Sequence, residues 1–116
     1  MRDAQRNGRI VTDDELEMAL NWLRDNAVAI GEAKRQAVLT EKVCKHVKAL
    51  EMKKHNQLPV SAQEREAYAS DAYQRALYAE AAAAGDYEAM RALREAAALK
   101  IEAWRSEQAN FRSMKI

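Results

Sequence analysis

The chain is short of almost everything that interrupts a helix or builds a reactive pocket. It has one proline, three glycines and one cysteine in 116 residues. Cys44 cannot form an internal disulfide, and neither it nor His46 and His55 stands at a spacing that resembles a zinc site. No metal and no cofactor is expected. Aromatic residues are scarce too, at one Phe, two Trp and four Tyr, so the 48% apolar content leans on alanine, which buries little area per residue. No apolar run approaches the roughly 18 residues of a membrane span, and the polar residues 1–9 lack the apolar centre of a signal peptide. With the lone cysteine, these absences lead to the expectation of a cytoplasmic protein without a membrane partner. Chemistry is equally thin. A nucleophile with its base, paired carboxylates in a cleft, a metal cluster or a phosphate loop would each need a constellation that no spacing here supplies. Glu64 with Glu66, and Glu80 with Asp86, are acidic pairs of the kind amphipathic helices bear for solubility. The chain is expected not to be an enzyme.

What is present reads as helix. Enrichment in Ala, Glu, Lys, Arg and Leu with few breakers is the composition of long helices and coiled coils. One domain, 1–116, is expected, with a core thin enough to imply an elongated bundle or a coiled-coil-like form completed by oligomerisation. After a flexible 1–11, the pattern Thr12, Asp13, Asp14, Glu15 is a capping box with acids at the positive end of a helix dipole. The apolar stripe that follows runs through Leu16, Leu20, Leu23, Ala27, Ile30, Ala33, Ala37, Thr40, Cys44, Val47 and Leu50, with one slip of the heptad near Gly31. The spacing predicts a helix over 12–55 that either tolerates Gly31, at a cost of about 1 kcal/mol, or breaks there. The only proline, Pro59, sits in a polar loop over 56–60. Ser61 to Glu64 repeats the capping-box spacing and opens a helix over 61–85, with Tyr68, Ala72, Ala76 and Ala79 on one packing face. Gly85 and Asp86 suit a helix end followed by an N-cap, giving an αα-hairpin with a last helix over 86–111. A continuous helix is the competing reading. The last helix presents Tyr87, Met90, Leu93, Ala97, Ile101 and Trp104, and a basic tail, 112–116, follows. The fold class is therefore all-α, a long N-terminal helix followed by an αα-hairpin. Leu16, Leu20, Leu23, Ile30, Val47, Leu50, Leu93, Ile101 and Trp104 are expected in the core or in an oligomer contact.

Charge is unevenly spread along an almost neutral chain. Residues 1–33 have net charge −3, 34–55 +5, 64–95 −3 and 96–116 +2. On a helix at 100° per residue, Arg35, Lys42, His46 and Lys53 fall in one narrow sector, with Lys45 on its flank and the apolar stripe well away. Such a face suits phosphates, each of which releases counterions when neutralised and so gives salt-sensitive, sequence-independent affinity. Arg35, Lys42, Lys45, Lys48, Lys53 and Lys54 are the candidate nucleic-acid contacts. Basic helical runs are also commonly just solvated, or paired with acidic helices of another subunit. The basic stretch contains no aromatic on which bases could stack; Trp22, Tyr68, Tyr73, Tyr78 and Trp104 are expected as core or interface anchors. Cys44, on the apolar stripe, is expected to be a buried, inert thiol.

The order of features resembles the small helical accessory proteins that phages encode beside recombination genes, in particular UvsY-type recombination mediators. The likeness lies in Trp22 and Leu23 on an N-terminal helix, the basic stretch 42–54, a polar break, a helix from Ser61, and a last helix with Trp104, Arg105, Ser106, Asn110 and Arg112. The resemblance implies a homo-oligomer that binds single-stranded DNA through the basic stretch and helps a recombinase displace a single-strand-binding protein. The rival expectation is a helical protein-interaction factor, such as a phage morphogenesis or host-inhibitory protein, that binds no nucleic acid.

Overall fold

The computed structural model describes residues 8–114 as three helices: α1, Asp13–Lys53, α2, Val60–Tyr68, and α3, Asp71–Met114. No strand occurs among the described residues, so the all-α class with a long first helix stands. No helix is long and apolar enough to cross a membrane. The proposed flexibility of 1–11 falls largely outside the described residues, as do the last two positions of the tail.

α1 begins as its sequence dictates. The Glu15 amide donates to Thr12 Oγ1 at 3.1 Å, and the Thr12 amide donates back to Glu15 Oε1 at 3.2 Å, a reciprocal capping box. The helix then runs without a break through Gly31. Its buried side follows strict alternating steps of four and three: Thr12, Leu16, Ala19, Leu23, Asn26, Ile30, Ala33, Ala37, Thr40, Cys44, Val47 and Glu51, none of them exposed. The slip expected near Gly31 does not exist. Leu20 and Leu50, expected in the core or in an oligomer contact, are about half exposed, and Ala27 is exposed as well. Ala19, Asn26 and Glu51 take their places in the seam. The polar members are satisfied locally: Asn26 Nδ2 donates to the Trp22 carbonyl at 2.9 Å, Thr40 Oγ1 to the Gln36 carbonyl at 2.8 Å, and Glu51 pairs with Lys54 at 2.9 Å.

α1 stops before Pro59, as expected, but the second capping box is not formed. α2 starts at Val60 with Pro59 as its N-cap, at φ −57° and ψ 153°, and no side-chain cap. Ser61 therefore lies inside the first turn, and Gln63 Nε2 instead bonds the Leu58 carbonyl at 2.8 Å. The expected helix over 61–85 is divided at Ala69 and Ser70. The Ser70 hydroxyl donates to the Ala67 carbonyl at 2.7 Å and accepts the Tyr73 amide at 3.1 Å, so one side chain closes α2 and caps α3. α3 is then continuous through 81–86. No turn forms at Gly85: the surrounding alanines have the highest helix propensity, which outweighs one glycine. Among the glycines only Gly8, at φ 77°, is left-handed. The helix also passes Phe111 and includes 112–114. Along α3 the seam again steps by three and four, through Tyr73, Ala76, Glu80, Ala83, Tyr87, Met90, Arg94, Ala97, Ile101, Trp104 and Gln108, with Arg94 its one exposed member. Leu93, expected in the core or in an oligomer contact, is about half exposed beside this line.

The chain divides into two compact units. In Ile30–Ala89, the C-terminal part of α1 lies antiparallel to the start of α3, with 54–70 making the reversal; Ile30, Cys44, Ala67, Ala76 and Ala83 are its buried apolar residues. The other unit joins Met1–Ala29 with Met90–Ile116. Val11, Ala19 and Ala97 are buried there. Its organising contact is a clasp: Glu107 accepts the amides of Ile10 and Val11, each at 2.9 Å, and these bonds hold its carboxyl below the usual carboxylate range. Trp104 Nε1 donates to Asp13 Oδ1 at 2.9 Å, Arg9 pairs with the same carboxylate at 3.0 Å, and the Arg9 guanidinium lies 5.9 Å from the Phe111 ring centre.

Two stability predictions follow. Thr12→Ala should lower unfolding free energy by about 1 kcal/mol. Gly31→Ala and Gly85→Ala should each raise it by about 0.5–1 kcal/mol, because nothing lies within 4 Å of an added Cβ at either position. Denaturant unfolding monitored by circular dichroism reads both signs. The lowered pKa of Glu107 gives the second: the clasp stabilises above the ordinary carboxylate pKa and is lost as pH falls through the lower folded value. Glu107→Gln should therefore depress Tm at pH 7 and converge with the parent chain in the acid range.

Candidate nucleic-acid interface

The basic stretch belongs to the Ile30–Ala89 unit, on the part of α1 whose seam packs on α3. At 100° per residue, Arg35, Lys42 and Lys53 share a sector about 180° from Cys44. All three are exposed, as is His46 between them. They span about 27 Å along the axis at 1.5 Å per residue. Lys45 lies about 80° to one side.

The six candidate cations do not form one set. Arg35 is engaged bidentately by Glu32, at 2.7 and 3.0 Å, which raises the guanidinium pKa and lowers that of Glu32. Lys45 is 3.9 Å from Glu41, a loose pair. Lys54 lies one residue past α1 and is paired with the buried Glu51. Lys48 is turned toward α2, its ammonium 4.6 Å from the Tyr68 ring centre; contact with the Tyr68 hydroxyl raises its pKa. Lys42 and Lys53 have no ion-pair partner among the described residues and stand open to solvent. The arrangement thus offers two open cations and one shared arginine in a row, with Lys45 adjacent. It can neutralise phosphates without reading bases.

Aromatic placement differs from expectation. Trp22, Tyr73 and Trp104 are half-buried, whereas Tyr68 and Tyr78 are exposed. Tyr68 meets Tyr73 edge-on at 5.2 Å, and it also holds Lys48, so it is a bracket between α1 and α2 rather than a core anchor. A second lysine, Lys34, lies 4.9 Å from the Tyr87 ring centre. Sequence reasoning missed these contacts, which join residues far apart in the chain. The pairings of Glu32, Glu41 and Glu51 were legible as i,i+3 and i,i+4 spacings.

Cys44 is buried in the seam against Glu80 and Tyr73. Burial, reinforced by the Glu80 carboxylate, pushes its pKa up, and burial likewise raises that of Tyr73. No cluster of three or more His, Cys, Asp or Glu able to hold a metal occurs among the described residues. The Met18, Ala19, Trp22, Leu93, Ala96, Ala97 and Lys100 side chains line a shallow, mainly apolar groove of about 190 Å³ in the other unit.

Comparison with protein-family models, with curated proteins and with solved structures found no match to the chain.

A thiolate-selective reagent tests the thiol. At neutral pH Cys44 should react at least about tenfold more slowly than a free cysteine, and denaturant should restore the full rate.

Proposed function

We propose that the chain is a non-catalytic accessory protein that captures single-stranded nucleic acid by its phosphate backbone, acting in the cytoplasm as a homo-oligomer. The observation that carries this reading is the row of Arg35, Lys42 and Lys53 opposite the seam, in which Lys42 and Lys53 are exposed and lack an ion-pair partner among the described residues. Lys45 extends the row; Lys48 and Lys54, held by Tyr68 and Glu51, contribute field rather than direct contact. Three or four phosphate contacts give weak affinity per subunit, which repetition in an oligomer multiplies. If the resemblance to UvsY-type mediators extends to function, the bound strand is one on which a recombinase replaces a single-strand-binding protein.

The second reading is a helical protein-interaction factor without nucleic-acid binding. Exposed Leu39, Val43 and Leu50 beside the cations favour it, because a purely electrostatic surface does not need them.

Fluorescence anisotropy of a labelled single-stranded oligonucleotide across a salt series separates the two. Lys42→Glu with Lys45→Glu should weaken binding by at least about tenfold and flatten the slope of log K against log salt by about 1.4, from about 0.7 per phosphate on a single strand. Binding that survives both substitutions and added salt would sink the nucleic-acid reading.

A further inference from the structure

The surface that charge does not explain is apolar. On α1, Leu39, Val43 and Leu50 are 44%, 43% and 48% exposed. With His46 between them they step by four, three and four, a second heptad-spaced row about 100–160° round the helix from Cys44. Arg35, Lys42 and Lys53 flank that row. On α3 of the same unit, Tyr78 lies about 180° from the seam residue Tyr87 and is 68% exposed, with Leu77 beside it at 42%. Asp71 shares the side of Tyr78, and Asp86 and Glu88 lie on either flank; all three acids are exposed.

Charge selects the occupant of the α1 row. Across 30–53 there are six Lys or Arg against three Glu, whereas across 60–89 there are six Asp or Glu against two Arg. A ridge of large apolar side chains edged with cations is thus matched by a face with Leu77 and Tyr78 edged with carboxylates, and both are present on every copy of this chain. Leu39 and Leu50 on α1 and Tyr78 on α3 cannot meet within one copy, because they point away from the seam that joins the two helices, whereas Val43 and Leu77 lie at its edges.

We infer that the Leu39, Val43, Leu50 ridge of one copy seats on the Leu77 and Tyr78 face of α3 in a second copy. The contact is heterologous: the donor surface and the acceptor surface differ. Each copy that donates its ridge still offers its own α3 face, so association continues head to tail beyond two copies, as an open chain or, where the rotation closes, a ring. Like charges would oppose ridge-to-ridge pairing, and the acids of two α3 faces would oppose the other symmetric contact. The inference does not depend on nucleic-acid binding.

Sedimentation velocity over a concentration series, without nucleic acid, tests it. The parent chain should show a weight-average mass that climbs with concentration past that of two copies. Leu39→Glu with Leu50→Glu removes the donor, and Tyr78→Lys with Asp86→Lys removes the acceptor; each variant alone should remain at monomer mass with an unchanged helical circular dichroism spectrum. Mixed in equal amounts, the two retain one good surface each and should form pairs of twice the monomer mass and nothing larger. If the acidic pair lowers helix content, Leu39→Gln with Leu50→Gln removes the ridge without adding charge. A parent chain that stays monomeric, one that holds a fixed dimer mass, or a mixture that stays at monomer mass would each overturn the inference.

Discussion

The structure depends on helix seams whose fully buried apolar members are mostly alanine. Among the described residues five of the eight buried apolar side chains are Ala, and the others are Val11, Ile30 and Cys44. A buried methyl-sized group contributes about 0.8 kcal/mol, against about 1.5–3 for a buried leucine, so each turn of the seam contributes little. In return, small side chains let two helices in a unit approach closely, and the regular alternation of four and three keeps the same side of each helix inward over its length. Leu20, Leu39, Leu50, Leu77 and Leu93 lie off the seam's steps of three and four and are 42–52% exposed. The exposed apolar surface is thus a consequence of how the interior is built.

A thin interior shifts specification onto polar contacts. The Glu107 carboxylate ties the backbone of Ile10 and Val11 to α3, and Trp104 with Arg9 converges on Asp13 at the start of α1, so the helix entry is fixed by four hydrogen-bonding groups and one ring rather than by apolar area. At the other reversal, Ser70 does with one hydroxyl what a separate cap and stop would otherwise do. The seam's own polar members, Asn26 and Thr40, turn back to carbonyls on their own helix, which avoids the penalty of an unpaired buried group. Cys44, between Glu80 and Tyr73, is a buried thiol in polar company.

Composition and capping made much of this legible, and size bias hid the rest. The helix class, the start at Thr12, the stop before Pro59 and the burial of Cys44 follow from local chemistry. The seam was misread where its members are small or polar: Ala19 lost to Leu20, Asn26 to Ala27 and Glu51 to Leu50, since a reading by hydrophobicity favours the more apolar neighbour. That substitution created the false slip near Gly31. Gly85 misled for a related reason, because its helix-ending tendency was weighed without the run of alanines that holds it in α3. Of the basic face, the sector was recovered from 100° periodicity. The capture of Lys48 by Tyr68 joins residues twenty apart, so no local spacing encodes it.

The apolar ridge and the cations lie on one side of α1, and that proximity constrains how the two readings coexist. Arg35, Lys42 and Lys53 border the ridge directly, so in an assembled chain they face the carboxylates of the next copy. A phosphate backbone must compete for them there. Lys45 is in a different position: it lies about 120–140° from Leu39 and Leu50 at 100° per residue, and its only partner among the described residues is Glu41 at 3.9 Å. Where both proposals hold, it would stay open to a polyanion whether or not the ridge is covered. In an open chain only the end subunit whose ridge is not donated would keep its whole basic row uncovered. A strand would then be held most strongly at that end and more weakly along the assembly through Lys45, so strand capture and self-association would be coupled through shared cations, with antagonism at Lys42 and Lys53 and independence at Lys45.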